Sequence, residues 1–429
     1  MIRLDGPHVS PVVAAQRLAG HYGRFLLDSG SDLDQCGRWS FVGADPLEVL
    51  RDGPGDPLAM LERWTAAPAE GPEPVPVAVG YLGYEFGKRL WLERSSHRAE
   101  AEVGDLWFGR YGAVWRFDRT TRRGAVVGHD EDAAERLRAA LESRRPSPLA
   151  GRFGRLRPEN DPVQHIRSIE RVLEYIRAGD VYQVNLARRL RARAIDAADP
   201  LWLYERVASL SPAPFGALIE TGSHAVLSNS PELFLRRAPG SSILETRPIK
   251  GTRARGATEA SDRALIAELA TDAKERAEHL MIVDLERNDL GRVAETGSVA
   301  VSGFARTITL PNVHHLVSTV SCRLREGTSL GDLFRATFPG GSITGAPKLR
   351  AMEIIDELEP FRRGVYTGAI GYVGAGGAID LAIAIRTGIL AGGMLTLYVG
   401  GGIVADSNPA RELEETEEKA AAWKKALEK

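Results

Sequence analysis

The chain has 429 residues, with 55 lysines and arginines against 57 aspartates and glutamates, a formal net charge of −2. A balance this near zero argues against a general nucleic-acid binder, which needs a basic excess to neutralise phosphates, and leaves room only for a local basic patch. Two cysteines, Cys36 and Cys322, exclude a disulfide framework and an all-cysteine zinc site; with no apolar leader and no run of about 18 apolar residues, a cytoplasmic protein without a membrane span is expected.

The first third mixes short apolar runs with Gly and Pro, as in Arg24-Phe25-Leu26-Leu27-Asp28-Ser29-Gly30 and Trp39-Ser40-Phe41-Val42-Gly43, which predicts strands joined by turns. Residues 66–79 are proline-rich and predict an exposed connection running into a strand. Ala133, Leu137 and Leu141, spaced four apart, predict a helix over 131–142. An Arg-, Pro- and Gly-rich stretch at 143–160 reads as a boundary, giving a region of residues 1–145, a linker at 146–160 and a domain of residues 161–429. A helix opens that domain: Val163, Ile166, Ile169, Val172, Leu173 and Ile176 share a face, Pro162 suits its first turn and Gly179 can end it. Beyond it, helical and strand patterns intersperse rather than alternate. Gly-rich strand candidates near 365–374, 379–390 and 394–404 predict an antiparallel meander, so the class is α+β.

Six constellations could carry chemistry. Glu275 and Glu278 on one predicted helix, and Glu412 and Glu415 on the last one after Asn408-Pro409, are spaced three apart, so each pair shares a helix face. Facing carboxylates suit a hard cation such as Mg²⁺; the plainer alternative is two solvated faces with Glu415 and Lys419 as an ordinary ion pair. Gly400-Gly401-Gly402 before that helix lets backbone N–H groups approach an anion, or else forms a glycine bulge. The loop Phe338 to Lys348 tempts a P-loop reading, which fails because Ala346 follows Gly345; Ser342, Thr344 and backbone amides could still meet an anionic ligand, or the loop could be structural. Lys250 lies near Arg247, Arg253 and Arg255, whose repulsion would favour the neutral amine that a nucleophile needs; a surface basic run is the alternative. Glu232 ends a Ser-Asn-Ser-Pro-Glu turn and could act as acid or base, or be a surface residue; His315 could act or be a core histidine. No nucleophilic cysteine or serine elbow is visible, so no glutaminase centre is expected within the chain.

Taken in order, GDVYQVNLARR (179–189), SPELF (230–234), RPIKGTRARG (247–256), AEHLMIVDLERNDLGRV (277–293), VHHLVSTV (313–320), FPGGSITGAPK (338–348), YTGAIGY (366–372), AIRT (384–387) and GGGIVADS (400–407) resemble the chorismate-utilising enzymes over roughly residues 160–425. Lys250 within Pro-Ile-Lys-Gly-Thr matches the branch that aminates chorismate at C4, where the anthranilate-forming branch usually reads Pro-Ile-Ala-Gly-Thr. Gln183 stands where the isochorismate- and salicylate-forming branches usually carry a lysine.

The resemblance implies two large, mostly antiparallel sheets packed as a sandwich with helices outside. It implies Mg²⁺ at Glu278 and Glu415 with Glu275 and Glu412 supporting. Gly401, Gly402 and Lys419 would meet the ring carboxylate, Tyr366 and Arg386 the enolpyruvyl carboxylate, with Ser342 and Thr344 nearby. Lys250 would attack C2 while Glu232 protonates the leaving C4 hydroxyl, and His315 would position the ring. Ammonia would come from a glutamine amidotransferase subunit. Leu27 and Ser29 would belong to a tryptophan site. The stretch Arg236 to Ser242 is slightly long for the family and reads as a hairpin turn. The rival readings are anthranilate formation and a non-catalytic anion-binding module.

Overall fold

The computed structural model describes residues 1–30, 37–92, 103–143, 149–159 and 161–428. Cys36, and residues 146–148 and 160 of the expected linker, lie outside the described residues. The sequence-predicted helices form: Glu131–Ser143, and Pro162–Ala178 with Asp161 capping its start and Gly179 ending it at φ +85°.

Among the described residues the strands build two antiparallel sheets, of twelve and ten strands. Period-2 alternation decides which side each residue covers. In the strand Phe25–Asp28, Phe25 joins the core between the sheets while Leu26 joins the outer core. In Phe215–Glu220, Ala217 and Ile219 face inward and Leu218 outward. Helices such as Glu131–Ser143 and Pro409–Ala426 cover the outer face of the twelve-stranded sheet through Leu137, Leu141, Ala420 and Trp423. Lys348–Leu358 and Leu330–Thr337 contribute Ile354, Ile355, Leu333 and Phe334 to the other outer core. This is the α+β class that the sequence pattern predicts, in the sandwich with helices outside that the family resemblance implies.

The stretch 143–160 divides the chain in sequence but not the sheets. Phe25–Asp28 pairs with Phe215–Glu220 in one sheet, and Pro76–Leu82 pairs with Ala369–Gly374 in the other. The expected hairpin turn also forms, joining Leu233–Arg237 to Ile243–Arg247 with Gly240 at φ +68°.

The expected meander at the C-terminal end is corrected. Ala369–Gly374 and Ile379–Ile383 form a hairpin in the ten-stranded sheet, whereas Thr387–Ala391 and Met394–Ile403 form one in the twelve-stranded sheet. The chain changes sheets at Ala384-Ile385-Arg386, where Arg386 takes a left-handed φ of +51°. It also changes sheets at Pro231-Glu232, between His224–Ser230 and Leu233–Arg237. The two crossovers are neighbours because the strands they join pair with one another. No helix among the described residues is long and apolar enough to cross a membrane.

Candidate active site

Glu232 stands on the first crossover and is 5% exposed, so the surface-turn alternative is excluded. Its carboxyl accepts from the Ser342 hydroxyl at 2.8 Å. Burial pushes it up to about 7, against the Ser342 bond and the positive charge of Lys250, the Ile249 amide and Arg386. A carboxyl so held can carry a proton at neutral pH and give it up to a leaving group.

Lys250 lies on the strand Ile249–Ala254, next to a bulge where Gly251 adopts φ +70°. Burial lowers its ammonium from the ordinary lysine value; Glu232 opposes this, and the charge of Lys419 adds to it. The direction expected from sequence holds, but the expected cause is corrected. Arg253 is engaged by Glu268, Asp272 and Glu275, Arg255 by Asp262, and Arg247 by Glu245, so the arginines spend their charge on nearby acids. Desolvation and Lys419 favour the neutral amine instead.

The glycine run lies in the long strand Met394–Ile403, paired to Gln183–Arg193, and not in a bulge. A Cβ added to Gly401 would lie 3.3 Å from Glu412 Oε2, 3.7 Å from Lys419 Nζ and 3.8 Å from Glu415 Oε1. One added to Gly251 would lie 3.2 Å from Glu275 Oε2. The last helix, capped by Asn408 with Pro409 in its first turn, thus brings its acidic face over the bare backbone of Gly401. Glu278 and Glu412 are both raised by burial, and the charge of Glu412 contributes to the shift of Glu278. For Glu415, burial is outweighed by Lys419, whose Nζ lies 2.6 Å away and also donates to the Gly400 carbonyl at 2.7 Å. Glu415 and Lys419 therefore form the ion pair that the plainer alternative expects.

No three carboxylate or histidine side chains among the described residues close into a ready-made metal cage. The donor set still fits Mg²⁺, which takes one or two carboxylates and completes its shell with water and substrate oxygens. Glu278 and Glu415 could hold such an ion. Glu275 also accepts from Arg253 at 3.1 Å and Glu412 from Ser407 at 2.6 Å, so each keeps a structural tie.

His315 Nδ1 lies 3.0 Å from Thr252 Oγ1 and 3.3 Å from the Gly251 carbonyl, while Nε2 is buried without a partner among the described residues. Burial, helped by Arg386, pushes the ring down to about 4, so it is neutral. Arg386 is lowered by burial and held up by Glu232. Tyr366 stacks on Tyr398 with ring centroids 5.5 Å apart. Two groups turn away from the expected role of meeting a ligand. Thr344 is fully buried and donates to the Gly340 and Gly341 carbonyls, and the Ser342 hydroxyl is spent on Glu232.

Sequence reasoning used Gln183 only to separate family branches. In the fold both atoms of its carboxamide are buried without a partner among the described residues, and a Cβ on Gly402 would lie 3.1 Å from it. It also missed that Glu286, Asp289 and Lys348 form a buried polar cluster behind Glu232; charged neighbours such as Asp284, Arg287 and Arg350 hide them in the sequence.

Leu27 and Ser29 lie elsewhere. They line a cavity of about 1070 Å³ with Arg38, Trp39, Phe41, Phe215, Tyr372 and Asp380, among others. None of Lys250, Glu232 and Arg386 borders it.

A sequence profile described as chorismate binding enzyme matches residues 33–425. Aminodeoxychorismate synthase component 1 of Bacillus subtilis (strain 168) is 36% identical, covering 91% of this chain and 90% of that protein. Anthranilate synthase component 1 of Streptomyces coelicolor is 39% identical, covering 98% of this chain and 86% of that protein. The crystal structure of anthranilate synthase component I from Streptococcus pneumoniae superposes with a TM-score of 0.80 at 30% identity, covering 98% of both chains. The chain belongs to the chorismate-binding enzyme family.

Proposed function

We propose that this member of the chorismate-binding enzyme family aminates chorismate at C4 to give 4-amino-4-deoxychorismate, the precursor of 4-aminobenzoate and folate. The observation that carries the reading is Lys250, a desolvated amine electrostatically linked to the proton-carrying Glu232 on one side and to Glu278 and Glu415 on the other. An anthranilate-forming enzyme has no use for a nucleophilic amine there. Aminodeoxychorismate synthase relatives support the reading, although anthranilate synthase relatives are as similar.

The substrate is a dianion, and Lys419, Arg386 and the amides near Gly401 and Gly402 supply positive charge and donors for its two carboxylates. Tyr366 and His315 border the ring. Lys250 attacks C2 as a free amine, the ring double bond shifts, and the C4 hydroxyl leaves as water with the proton of Glu232. Ammonia then attacks C4, the double bond returns, and the lysine leaves C2; a proton shed by the new amine reloads Glu232. A covalent amine thus splits one hard substitution into two easier ones. Mg²⁺ held by Glu278 and Glu415, with Glu275 and Glu412 supporting, would neutralise the ring carboxylate. Ammonia is supplied by a glutamine amidotransferase partner, and pull-down from the native cell with no glutaminase bound would remove that part of the proposal.

The cavity at Leu27 and Ser29 takes tryptophan in this reading, since aromatic walls and charges of both signs suit a zwitterionic aromatic amino acid. Calorimetry with no heat and no thermal shift would refute it.

The reaction is tested with chorismate, Mg²⁺ and ammonium salt, beside Lys250→Ala, with products separated by liquid chromatography and mass detection. A product that aminodeoxychorismate lyase converts to 4-aminobenzoate supports C4 amination. Anthranilate or isochorismate would refute it while keeping the family.

A further inference from the structure

Glu286 is a buried carboxyl that the proposed chemistry leaves unused. It lies on the inward face of the helix Ala273–Gly291, with His279, Ile282, Val283, Asp289 and Leu290, and is 3% exposed. Its Oε1 accepts from the Ser342 amide at 3.3 Å, and the Ser342 hydroxyl donates to Glu232 Oε1 at 2.8 Å. One residue therefore grips both carboxyls, one through its main chain and the other through its side chain.

The segment carrying Ser342 is a single 3₁₀ turn, Gly341–Ile343, with no side-chain cap at its start. It packs straight onto the helix: a Cβ on Gly341 would fall 2.5 Å from Leu285 and 3.5 Å from Glu286 Oε1. The charged groups facing Glu286 are Asp289 on its own helix, Lys348 at the start of the helix Lys348–Leu358, and Glu232 across Ser342. Lys348 is bound to Asp289 at 2.6 Å. Burial and then Asp289 hold the Glu286 carboxyl above the ordinary glutamate range, with Lys348 opposing. What remains for Glu286 is the amide of Ser342.

We propose that Glu286 is a positioning residue for Glu232, acting across Ser342: it anchors the Ser342 amide so that the Ser342 hydroxyl delivers its hydrogen bond to Glu232 Oε1 and fixes the orientation of that carboxyl. The proposal rests on Glu232 being the acid of the reaction proposed above. An unanchored turn would let the hydroxyl swing away, and a misplaced acid loses rate without losing substrate.

The test measures kcat and KM for chorismate consumption in wild type, Glu286→Gln, Glu286→Leu, Ser342→Ala and the Glu286→Leu/Ser342→Ala double variant. Glu286→Leu lowers kcat about tenfold or more with KM changed by less than about twofold. Glu286→Gln keeps an acceptor oxygen and recovers to within about threefold of wild type. The double variant is no slower than the slower single one, since both act through one hydrogen bond. Wild-type kcat in Glu286→Leu, a Gln variant as slow as the Leu variant, or losses that multiply in the double variant would each overturn the proposal. Should Glu286→Leu not fold, Glu286→Met carries the same expectations.

Carbon-13 titration of the Glu232 carboxyl, assigned with Glu232→Gln, reads the same link without turnover. The Ser342 bond favours the ionised form, so its midpoint rises in Glu286→Leu and in Ser342→Ala and returns in Glu286→Gln. An unchanged midpoint in Glu286→Leu overturns the proposal. A product other than 4-amino-4-deoxychorismate would instead overturn the reaction and leave this link to be judged on its own rates and midpoints.

Discussion

Glu232 and Arg386 lie on adjacent crossovers between the two sheets, tied by hydrogen bonds from the Ile383 amide to the Glu232 carbonyl at 3.0 Å and from the Asn229 amide to the Arg386 carbonyl at 3.2 Å. The main chain of both residues is therefore fixed by sheet pairing rather than by a free loop. Their side chains share one desolvated region, and each charge appears in the balance that sets the other's proton affinity. An acid built this way needs no rearrangement to meet an anionic substrate.

In the proposed reaction Glu232 acts in its protonated form, so turnover at constant free ammonia should fall as pH rises through about 7, the value to which burial lifts this carboxyl. Glu232→Gln should lose about a hundred- to ten-thousandfold in kcat and lose that limb of the profile. The sign for stability is opposite to that of a salt-bridged carboxylate. The folded state binds the proton more tightly than the unfolded one, so its stability falls as pH rises from the unfolded value toward 7. Thermal unfolding at pH 8 should show Glu232→Gln more stable than wild type, on the order of 3 kcal/mol, and little difference at pH 4. Equal melting at both pH values would sink this account of the site.

Lys250→Ala should cut C4 amination by at least about a hundredfold. Without ammonia, wild-type protein given chorismate and Mg²⁺ and then acid-quenched should carry a mass increment of chorismate less one water on the peptide containing Lys250. No increment under conditions where the ammonia-supplied reaction turns over would count against the covalent step.

Chelation should abolish turnover, with Mg²⁺ restoring it. Glu278→Gln should raise the Mg²⁺ concentration needed for half-maximal rate about tenfold or more, because it removes one of the few carboxylates proposed to hold the ion. Turnover that survives exhaustive chelation would refute the proposed Mg²⁺ site at Glu278 and Glu415.

Much of this site was legible because its residues sit in short motifs whose spacing is local: the paired glutamates on helices, Asn408-Pro409, the glycine strand. What stayed hidden depends on which distant segments meet. The Gly-rich strands read as one meander because period-2 patterning is the same in either sheet; only the three-dimensional pairing reveals the change of sheet at Arg386. The neutral bias on Lys250 was traced to nearby arginines, yet each of these meets acids that could not be paired to it from spacing alone. Thr344 looked available because its loop is glycine-rich, but it braces that loop's own carbonyls. Glu286 and Asp289 draw no reading from the sequence, since a buried acid shows itself only once its donors are in place.

The same principle sets the last prediction, at Arg363. Its guanidinium and the Glu359 carboxylate are both 1% exposed and form a two-pronged pair, with Nη2 to Oε1 at 2.6 Å and Nε to Oε2 at 2.8 Å. Glu359 also accepts from the Ala187 amide at 2.8 Å, and Arg363 donates to the carbonyls of Asn185 and Ile343. Burial alone would weaken the charge on Arg363; Glu359 outweighs it. The pair thus ties the helix-exit loop to the strand that carries Gln183 and to the turn that carries Ser342. Glu359→Ala leaves a buried cation unpaired and should cost about 3–5 kcal/mol in urea unfolding. Glu359→Gln keeps the acceptors but not the charge and should cost less. Because the loss reaches the Ser342 turn, the residual folded Glu359→Gln enzyme should also show reduced kcat with little change in KM. A variant that is destabilised yet fully active per folded molecule would separate the scaffold from the acid and refute that connection.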